Sequence, residues 1–229
     1  IVVGAHYDHL GMGGQGSLAP WTKEIHNGAD DNASGTASLL EVAHQLTQAN
    51  FKPKRRIVFI AFSGEERGLL GSARYVREPR FPLKDTIAMV NMDMVGRLRK
   101  TLAVIGVDTA GEWNEYLDRA ALEDLPLKRG KGGVGPSDHT PFYLAGIPVL
   151  HLLTGAHSDY HKSTDTADKL NVAGMSRIAD FVESLIRELA GGGVLTFQKS
   201  SVQVRPAGGP VPKANRPYLG IIPDYTHDG

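Results

Sequence analysis

Short apolar segments alternate along this chain with segments of helical periodicity, and this alternation constrains the fold more than any other feature. Apolar runs predict strands at 1–5, 56–62, 86–92, 102–105 and 147–153. The run at 56–62 is expected to be fully buried. Helices are predicted at 34–50, 68–76, 111–124 and 175–189, and glycine-rich loops at 11–16 and 128–136. Strands that alternate with helices indicate an α/β sandwich with a largely parallel sheet.

The composition excludes several classes of site and partner. The chain has 229 residues and no cysteine, which excludes disulfides, thiolate metal sites and cysteine nucleophiles. Lys and Arg total 25, as do Asp and Glu, and this balance gives no indication of a nucleic-acid partner. No apolar run approaches the roughly 20 residues of a membrane span. A chain of this length buries a sizeable core unaided, so a bound metal is expected to be catalytic.

The character of the sequence changes after Gly193. Residues 199–217 are rich in Pro, Gly, Lys and Arg, a composition typical of a linker. We therefore predict a main domain over 1–193, a linker over 194–217 and a separate segment over 218–229.

Acidic and histidine side chains follow the predicted strands. His6 comes directly after the first strand, Glu66 follows the second and Asp93 follows the third. Asp31 leads into the first helix, and His161 lies in a loop beyond the last strand. Sites in parallel sheets form at the carboxyl ends of the strands, so these side chains are expected to converge.

Imidazole and carboxylate are ligands that zinc accepts in catalytic sites. Two zinc ions about 3.5–4 Å apart need a bridging carboxylate and bind both an attacking water and a scissile carbonyl. These five residues would give each of two ions one imidazole, one terminal carboxylate and a share of a bridge. Taken alone, each has a simpler reading: His6 as a satisfied buried histidine, and Asp31 as a helix cap.

Two further acidic residues accompany this set. Asp8 lies two positions beyond His6, and in an extended segment its side chain points the same way, where it could fix the tautomer of a ligand imidazole. Glu65 precedes Glu66, and adjacent buried glutamates repel unless cations are present. One could then bind metal while the other acts as a general base. A solvated helix start explains the pair equally well.

Six short motifs occur along the chain: GAHYDH at 4–9, NGADDNASG at 27–35, FSGEERGLLGS at 62–72, NMDMVG at 91–96, SDHTPF at 137–142 and YHKSTDT at 160–166. In this order they resemble the co-catalytic zinc aminopeptidase family, whose relatives include glutamate carboxypeptidases and glutaminyl cyclases. The resemblance extends over residues 1–190. It implies a three-layer α/β/α sandwich around a largely parallel mixed sheet, and two zinc ions per chain.

The resemblance also implies which residues hold which ion. His6 and Asp93 match the terminal ligands of one zinc ion, and Glu66 and His161 match those of the other. Asp31 matches the bridging carboxylate.

The remaining matches imply roles outside the ligand set. Glu65 resembles the general base, and Asp8 resembles the carboxylate behind the first histidine. Tyr160 resembles a tyrosine that polarises the scissile carbonyl, although a tyrosine that only packs in the core explains it nearly as well. His139 is expected near the site without binding metal. His9 flanks the site region and is not expected to be a ligand.

The implied function is a metal-dependent exopeptidase that removes the N-terminal residue of a peptide substrate. Alternatives are a glutaminyl cyclase-like transferase, a carboxypeptidase, or a non-catalytic scaffold with the same fold. The resemblance implies an exported protein. It also implies that the strands that normally precede the first motif are absent from this chain. The segment RPYLGIIPDY at 216–225 resembles the start of a PDZ domain.

Overall fold

The computed structural model describes residues 1–48 and 51–202. Within them, strands and helices alternate along most of the chain, as the sequence predicts, and two strands follow each other directly at 89–105. The strands are β1 Val2–His6, β2 Val58–Phe62, β3 Met89–Met92, β4 Leu102–Ile105, β5 Leu127–Gly130 and β6 Val149–Leu153. The helices are α1 Gly35–Gln48, α2 Leu70–Arg77, α3 Trp113–Ala120, α4 His139–Leu144 and α5 Val172–Ala190.

The six strands form a single sheet in the order β2-β1-β3-β6-β4-β5. All neighbouring pairs are parallel except β4 and β6, which are antiparallel. The largely parallel mixed sheet is therefore confirmed. The carboxyl ends of β1, β3 and β6 are neighbours, which brings the segments after these strands to one edge of the sheet.

Helices cover both faces of this sheet and complete the three layers. On one face, α1 and α3 pack on α5, and α5 buries an apolar stripe that includes Ile178, Val182 and Leu185. Full burial of each such side chain stabilises the fold by about 1.5–3 kcal/mol. On the other face, α2 and α4 pack together, and Phe142 contacts Phe62.

Three local expectations differ from the structure. The strand predicted at 56–62 begins at Val58 and is only partly buried, because β2 is an edge strand that pairs with β1 alone. The loop predicted at 128–136 contributes its first residues to β5, which pairs with β4. Helix α4 was not predicted. It is only six residues long, and its Pro141 lies in the first turn, where the missing N–H removes no helical hydrogen bond.

The start of the predicted linker lies against the main domain. Leu195 is buried, Phe197 forms an antiparallel bridge with Ala110, and the Ser200 hydroxyl donates to Asp108. The rest of the linker, 203–217, and the PDZ-like segment, 218–229, lie outside the described residues. Among the helices that the structure describes, none has the length and apolarity needed to cross a membrane.

Candidate metal centre

His6 is the last residue of β1 and is 1% exposed. Its Nδ1 donates to the backbone carbonyl oxygen of Asp8 at 3.1 Å. This bond leaves Nε2 directed into the site, where it lies 3.3 Å from both Asp31 Oδ1 and Asp93 Oδ1. Asp93 follows β3 directly, and its amide donates to the Leu152 carbonyl in β6. The ends of three adjacent strands thus fix this half of the site.

Asp31 lies in a tight turn, Ala29–Ser34, that precedes α1. The turn is held by the buried Asp165 carboxylate, whose Oδ2 accepts the amides of Asp30 at 2.8 Å and Asp31 at 3.1 Å. The other oxygen of Asp165 pairs with Arg97 at 2.8 Å. These bonds leave the Asp31 side chain free to face the centre of the site. Its two oxygens face two imidazoles: Oδ1 faces His6, and Oδ2 lies 3.1 Å from His161 Nε2.

His161 and Glu66 form the second half of the site. His161 Nε2 lies 3.2 Å from Glu66 Oε2, and its Nδ1 donates to the Gly16 carbonyl at 2.7 Å. His161 has the same arrangement as His6, with Nδ1 bound to a backbone carbonyl and Nε2 pointing inward. Fixing the outer nitrogen in this way is how metal-binding histidines are commonly oriented.

His9 lies closer to the site than the sequence suggests. Its Nδ1 is 2.7 Å from Glu66 Oε1, but the two atoms are not aligned for a hydrogen bond, and both are buried without one. His9, Asp31 and Glu66 form a group that could hold a cation, as do His6, Asp31 and Asp93. The feature of the sequence that could have placed His9 at the site is its position three residues after His6, next to a predicted strand end.

The charges of this site strongly perturb its titratable groups. Burial lowers the pKa of each imidazole, but the surrounding carboxylates outweigh it. They raise the pKa of His161 to about 10 and that of His6 far above its ordinary range. Burial raises the pKa of Asp31 and Asp93, but their histidine neighbours outweigh it, and both pKa values lie below the ordinary range. Positive charge at the centre therefore stabilises the carboxylates around it.

Glu65 and Glu66 differ sharply. For Glu66, the close approach and charge of His161 and His9 outweigh burial and lower the pKa to about 2. For Glu65, burial and the nearby carboxylates raise the pKa to about 9. Glu65 Oε2 lies 4.0 Å from His6 Nε2, at the edge of the site. Glu65 is thus a buried carboxyl beside the ligand candidates, with chemistry distinct from that of its neighbour.

Asp8 and Tyr160 contact the site from outside. The Asp8 carboxylate is 3.8 Å from His6 Nδ1, farther than the Asp8 backbone oxygen, and it accepts the Glu65 amide at 3.2 Å. Asp8 thus contacts both His6 and Glu65. The Tyr160 ring stacks on His161 with centroids 3.8 Å apart, and burial raises the pKa of its hydroxyl.

A polar chain behind Asp93 was not predicted. The Ser137 hydroxyl donates to Asp93 Oδ2 at 2.7 Å, and the Asn91 side-chain amide donates to that hydroxyl at 2.8 Å. His139 lies nearby, stacked on His151, and burial lowers its pKa well below the ordinary value. His139 thus lies next to the site but outside the ligand cluster, as expected from the sequence.

The donor set fits two divalent cations. Five carboxylate or imidazole groups converge in a buried space, and both imidazoles present Nε2. His9 Nδ1 and Glu66 Oε1 face each other without a hydrogen bond. A mixed nitrogen and oxygen set of this kind suits zinc, with cobalt and manganese as alternatives.

Comparison with known proteins gives consistent matches. The chain is 30% identical over 203 residues to Aminopeptidase YwaD of Bacillus subtilis, which covers 82% of this chain and 40% of that protein. The solved structure of a zinc aminopeptidase from Bacillus subtilis, BSAP, is 30% identical with a TM-score of 0.65, and the match covers 86% of this chain and 46% of that one. The chain spans about half the length of the curated relatives that it matches.

A glutaminyl cyclase from Porphyromonas gingivalis shares the fold. Its TM-score is 0.68 at 22% identity, over 82% of this chain and 72% of that chain. The model of peptidase family M28 matches residues 1–186, which include all six motifs and every candidate ligand. This chain therefore belongs to peptidase family M28.

Proposed function

We propose that this domain is the catalytic part of an aminopeptidase that uses two zinc ions to hydrolyse the N-terminal peptide bond of peptides. The observation that carries the proposal is the position of the Asp31 carboxylate between two imidazole and carboxylate pairs. Curated relatives from Bacillus subtilis and Uncinocarpus reesii are named as aminopeptidases, and a similar solved structure is described as a zinc aminopeptidase.

In this proposal His6 and Asp93 would hold one ion, Glu66 and His161 would hold the other, and both ions would share Asp31. The bound ions would lower the pKa of a water molecule and polarise the scissile carbonyl. The ions would also offset the negative charges that raise the pKa of Glu65 and so favour its carboxylate form.

Glu65 then acts as the general base. Its carboxylate accepts a proton from the attacking water and passes it to the nitrogen of the leaving amine, so it ends each cycle unprotonated. Asp8 contributes by position: its backbone oxygen fixes the His6 tautomer, and its side chain binds the Glu65 amide. The Tyr160 hydroxyl donates to the oxygen of the scissile carbonyl as negative charge develops there.

The alternatives have less support. A glutaminyl cyclase-like transferase rests on a neighbour whose identity of 22% supports the fold alone. A carboxypeptidase would use the same ligands, but the curated relatives are named as aminopeptidases. A non-catalytic scaffold protein would have no use for a general base, whereas this chain has Glu65 beside a complete set of candidate ligands.

The test is hydrolysis of a panel of aminoacyl-p-nitroanilides by the zinc-loaded chain. We expect activity that a chelator abolishes and zinc restores, and that Glu65→Gln lowers by at least about 100-fold while bound zinc is unchanged. Glu41→Gln, at an exposed position on α1, serves as the matched control and should retain full activity. Zinc-loaded chain that hydrolyses none of these substrates, or an unimpaired Glu65→Gln variant, would contradict the proposal.

A further inference from the structure

A cavity of about 570 Å³ opens beside Glu66. One wall is formed by His9, Leu10, Gly13 and Gln15, and the other by Glu66, Arg67 and Gly68. This volume lies within the range of about 300–1,000 Å³ of pockets that hold small ligands. Glu66 is shared by the cavity and the ligand cluster, since its Oε2 lies 3.2 Å from His161 Nε2. The cavity therefore lies next to the candidate metal centre.

The charged groups of the cavity are not equally available to a ligand. The Glu66 carboxylate already faces two imidazoles, with His161 Nε2 at 3.2 Å and His9 Nδ1 at 2.7 Å. Arg67 is exposed, and no carboxylate in residues 1–48 or 51–202 lies within ion-pairing distance of it. Other arginines close to the site are paired, as Arg97 is with Asp165 and Asp159. The guanidinium of Arg67 is thus the available charge in the cavity.

Two further groups add hydrogen-bonding capacity. The side chain of His9 is 9% exposed, and its Nε2 is buried without a hydrogen-bond partner. Gln15 lines the same wall and carries an amide with two donors. A guanidinium matches a carboxylate with two parallel hydrogen bonds, which a neutral group of the same shape cannot reproduce.

We propose that this cavity is a subsite for a carboxylate of the substrate and that Arg67 is the residue that selects it. The inference rests on the proposed function and narrows it to a class of peptides. The carboxylate has two possible sources: an acidic side chain on the N-terminal residue, or a carboxylate on the residue that leaves.

The test compares matched substrates that differ only in this charge. Glu-p-nitroanilide against Gln-p-nitroanilide tests the N-terminal side chain. Leu-Glu-amide against Leu-Gln-amide, and Leu-Gly against Leu-Gly-amide, test the leaving residue. For at least one pair, we expect kcat/KM to favour the carboxylate by roughly three- to tenfold, a modest ratio because Arg67 is exposed to solvent. The ratio should decrease as ionic strength rises.

Variants identify the residue responsible. Arg67→Gln should bring the favoured ratio to about one, and Arg67→Lys should restore part of it, since a lysine keeps the charge but loses the two-bond geometry. Arg80→Gln, at an exposed position outside the cavity, should leave every ratio unchanged. The proposal is overturned if the zinc-loaded chain prefers the neutral member of all three pairs, shows no preference, or keeps its preference in Arg67→Gln.

A binding measurement separates this inference from the proposed function. Three pairs of ligands with a reduced, uncleavable peptide bond are titrated calorimetrically into the zinc-loaded chain. The pairs are leucyl-glutamate amide and leucyl-glutamine amide, glutamyl-leucine and glutaminyl-leucine, and leucyl-glycine and leucyl-glycine amide. Even if no substrate is hydrolysed, tighter binding of an acidic member that Arg67→Gln abolishes would support the subsite. Equal binding within all three pairs would overturn it.

Discussion

Glu65 and Glu66 are consecutive in the sequence, yet the structure gives their carboxyl groups opposite environments. The pKa of Glu65 is raised to about 9 and that of Glu66 is lowered to about 2. The difference arises because His161 and His9 contact Glu66, whereas Glu65 faces the carboxylates of Asp93 and Asp31. This separation makes it possible for one residue to bind a cation while the other exchanges protons.

Replacement of the shared carboxylate should affect both halves of the site. Asp31→Asn keeps the size of the side chain but removes the charge that both imidazoles face. We expect weaker binding of both zinc ions and a loss of activity of at least about 100-fold, measured by zinc content after dialysis and by turnover. Asp118→Asn, at an exposed position on α3, is the control. An Asp31→Asn variant that keeps two tightly bound ions would show that this residue is not the bridge.

Ser137 should support the metal centre without contacting a metal. Ser137→Ala removes the donor to Asp93 Oδ2 and leaves the Asn91 amide without this acceptor. We expect zinc affinity to fall by about 10- to 100-fold, as for other partners of metal ligands. Competition with a chromophoric chelator measures this change. Ser158→Ala, at an exposed position, should bind zinc like the parent chain, and an equal affinity in Ser137→Ala would exclude the positioning role.

Zinc binding should be linked to proton release. The pKa of His161 is raised to about 10 and that of His6 lies higher still, so after chelation both imidazoles are protonated at neutral pH. Each must lose its proton before it can bind a cation. Zinc affinity should therefore rise between pH 6 and pH 8, by about tenfold per pH unit for each proton released. An indicator dye in weak buffer reports the protons directly, and an affinity that is independent of pH would contradict the linkage.

The buried side chains of α5 should contribute strongly to the free energy of unfolding. Leu185, a residue of α5, is fully buried in the main core. Truncating a buried leucine to alanine costs about 2–5 kcal/mol. Leu185→Ala should therefore lower the free energy of unfolding in urea by this amount. Leu40→Ala is the matched control, because Leu40 lies on α1 with 68% exposure and should change stability by less than about 1 kcal/mol.

The parts of the site that were predictable from sequence are those set by strand ends. His6 and Asp93 directly follow buried apolar runs, and parallel pairing of β1 with β3 brings such residues together. Asp31, Glu66 and His161 were candidates because they lie next to predicted helices or strands, in loops whose course no periodicity predicts. The motif resemblance added which ion each would hold. The structure brings all five together.

The remaining contacts depend on tertiary packing between distant segments. Asp165 binds the amides of the turn that holds Asp31, 134 residues earlier in the chain, and Ser137 reaches Asp93 across 44 residues. Such polar contacts leave no local pattern in the sequence. The partial burial of β2 was missed for a related reason, since the position of a strand within its sheet depends on the order of all the strands.

The most direct test of the account is anomalous diffraction at the zinc absorption edge from crystals of the zinc-loaded chain. We expect two peaks per chain, about 3.5–4 Å apart, on either side of the Asp31 carboxylate. One peak should be bound by His6 and Asp93, and the other by Glu66 and His161. A single peak in this site, or a second zinc ion held without Asp31, would contradict the proposed two-metal centre.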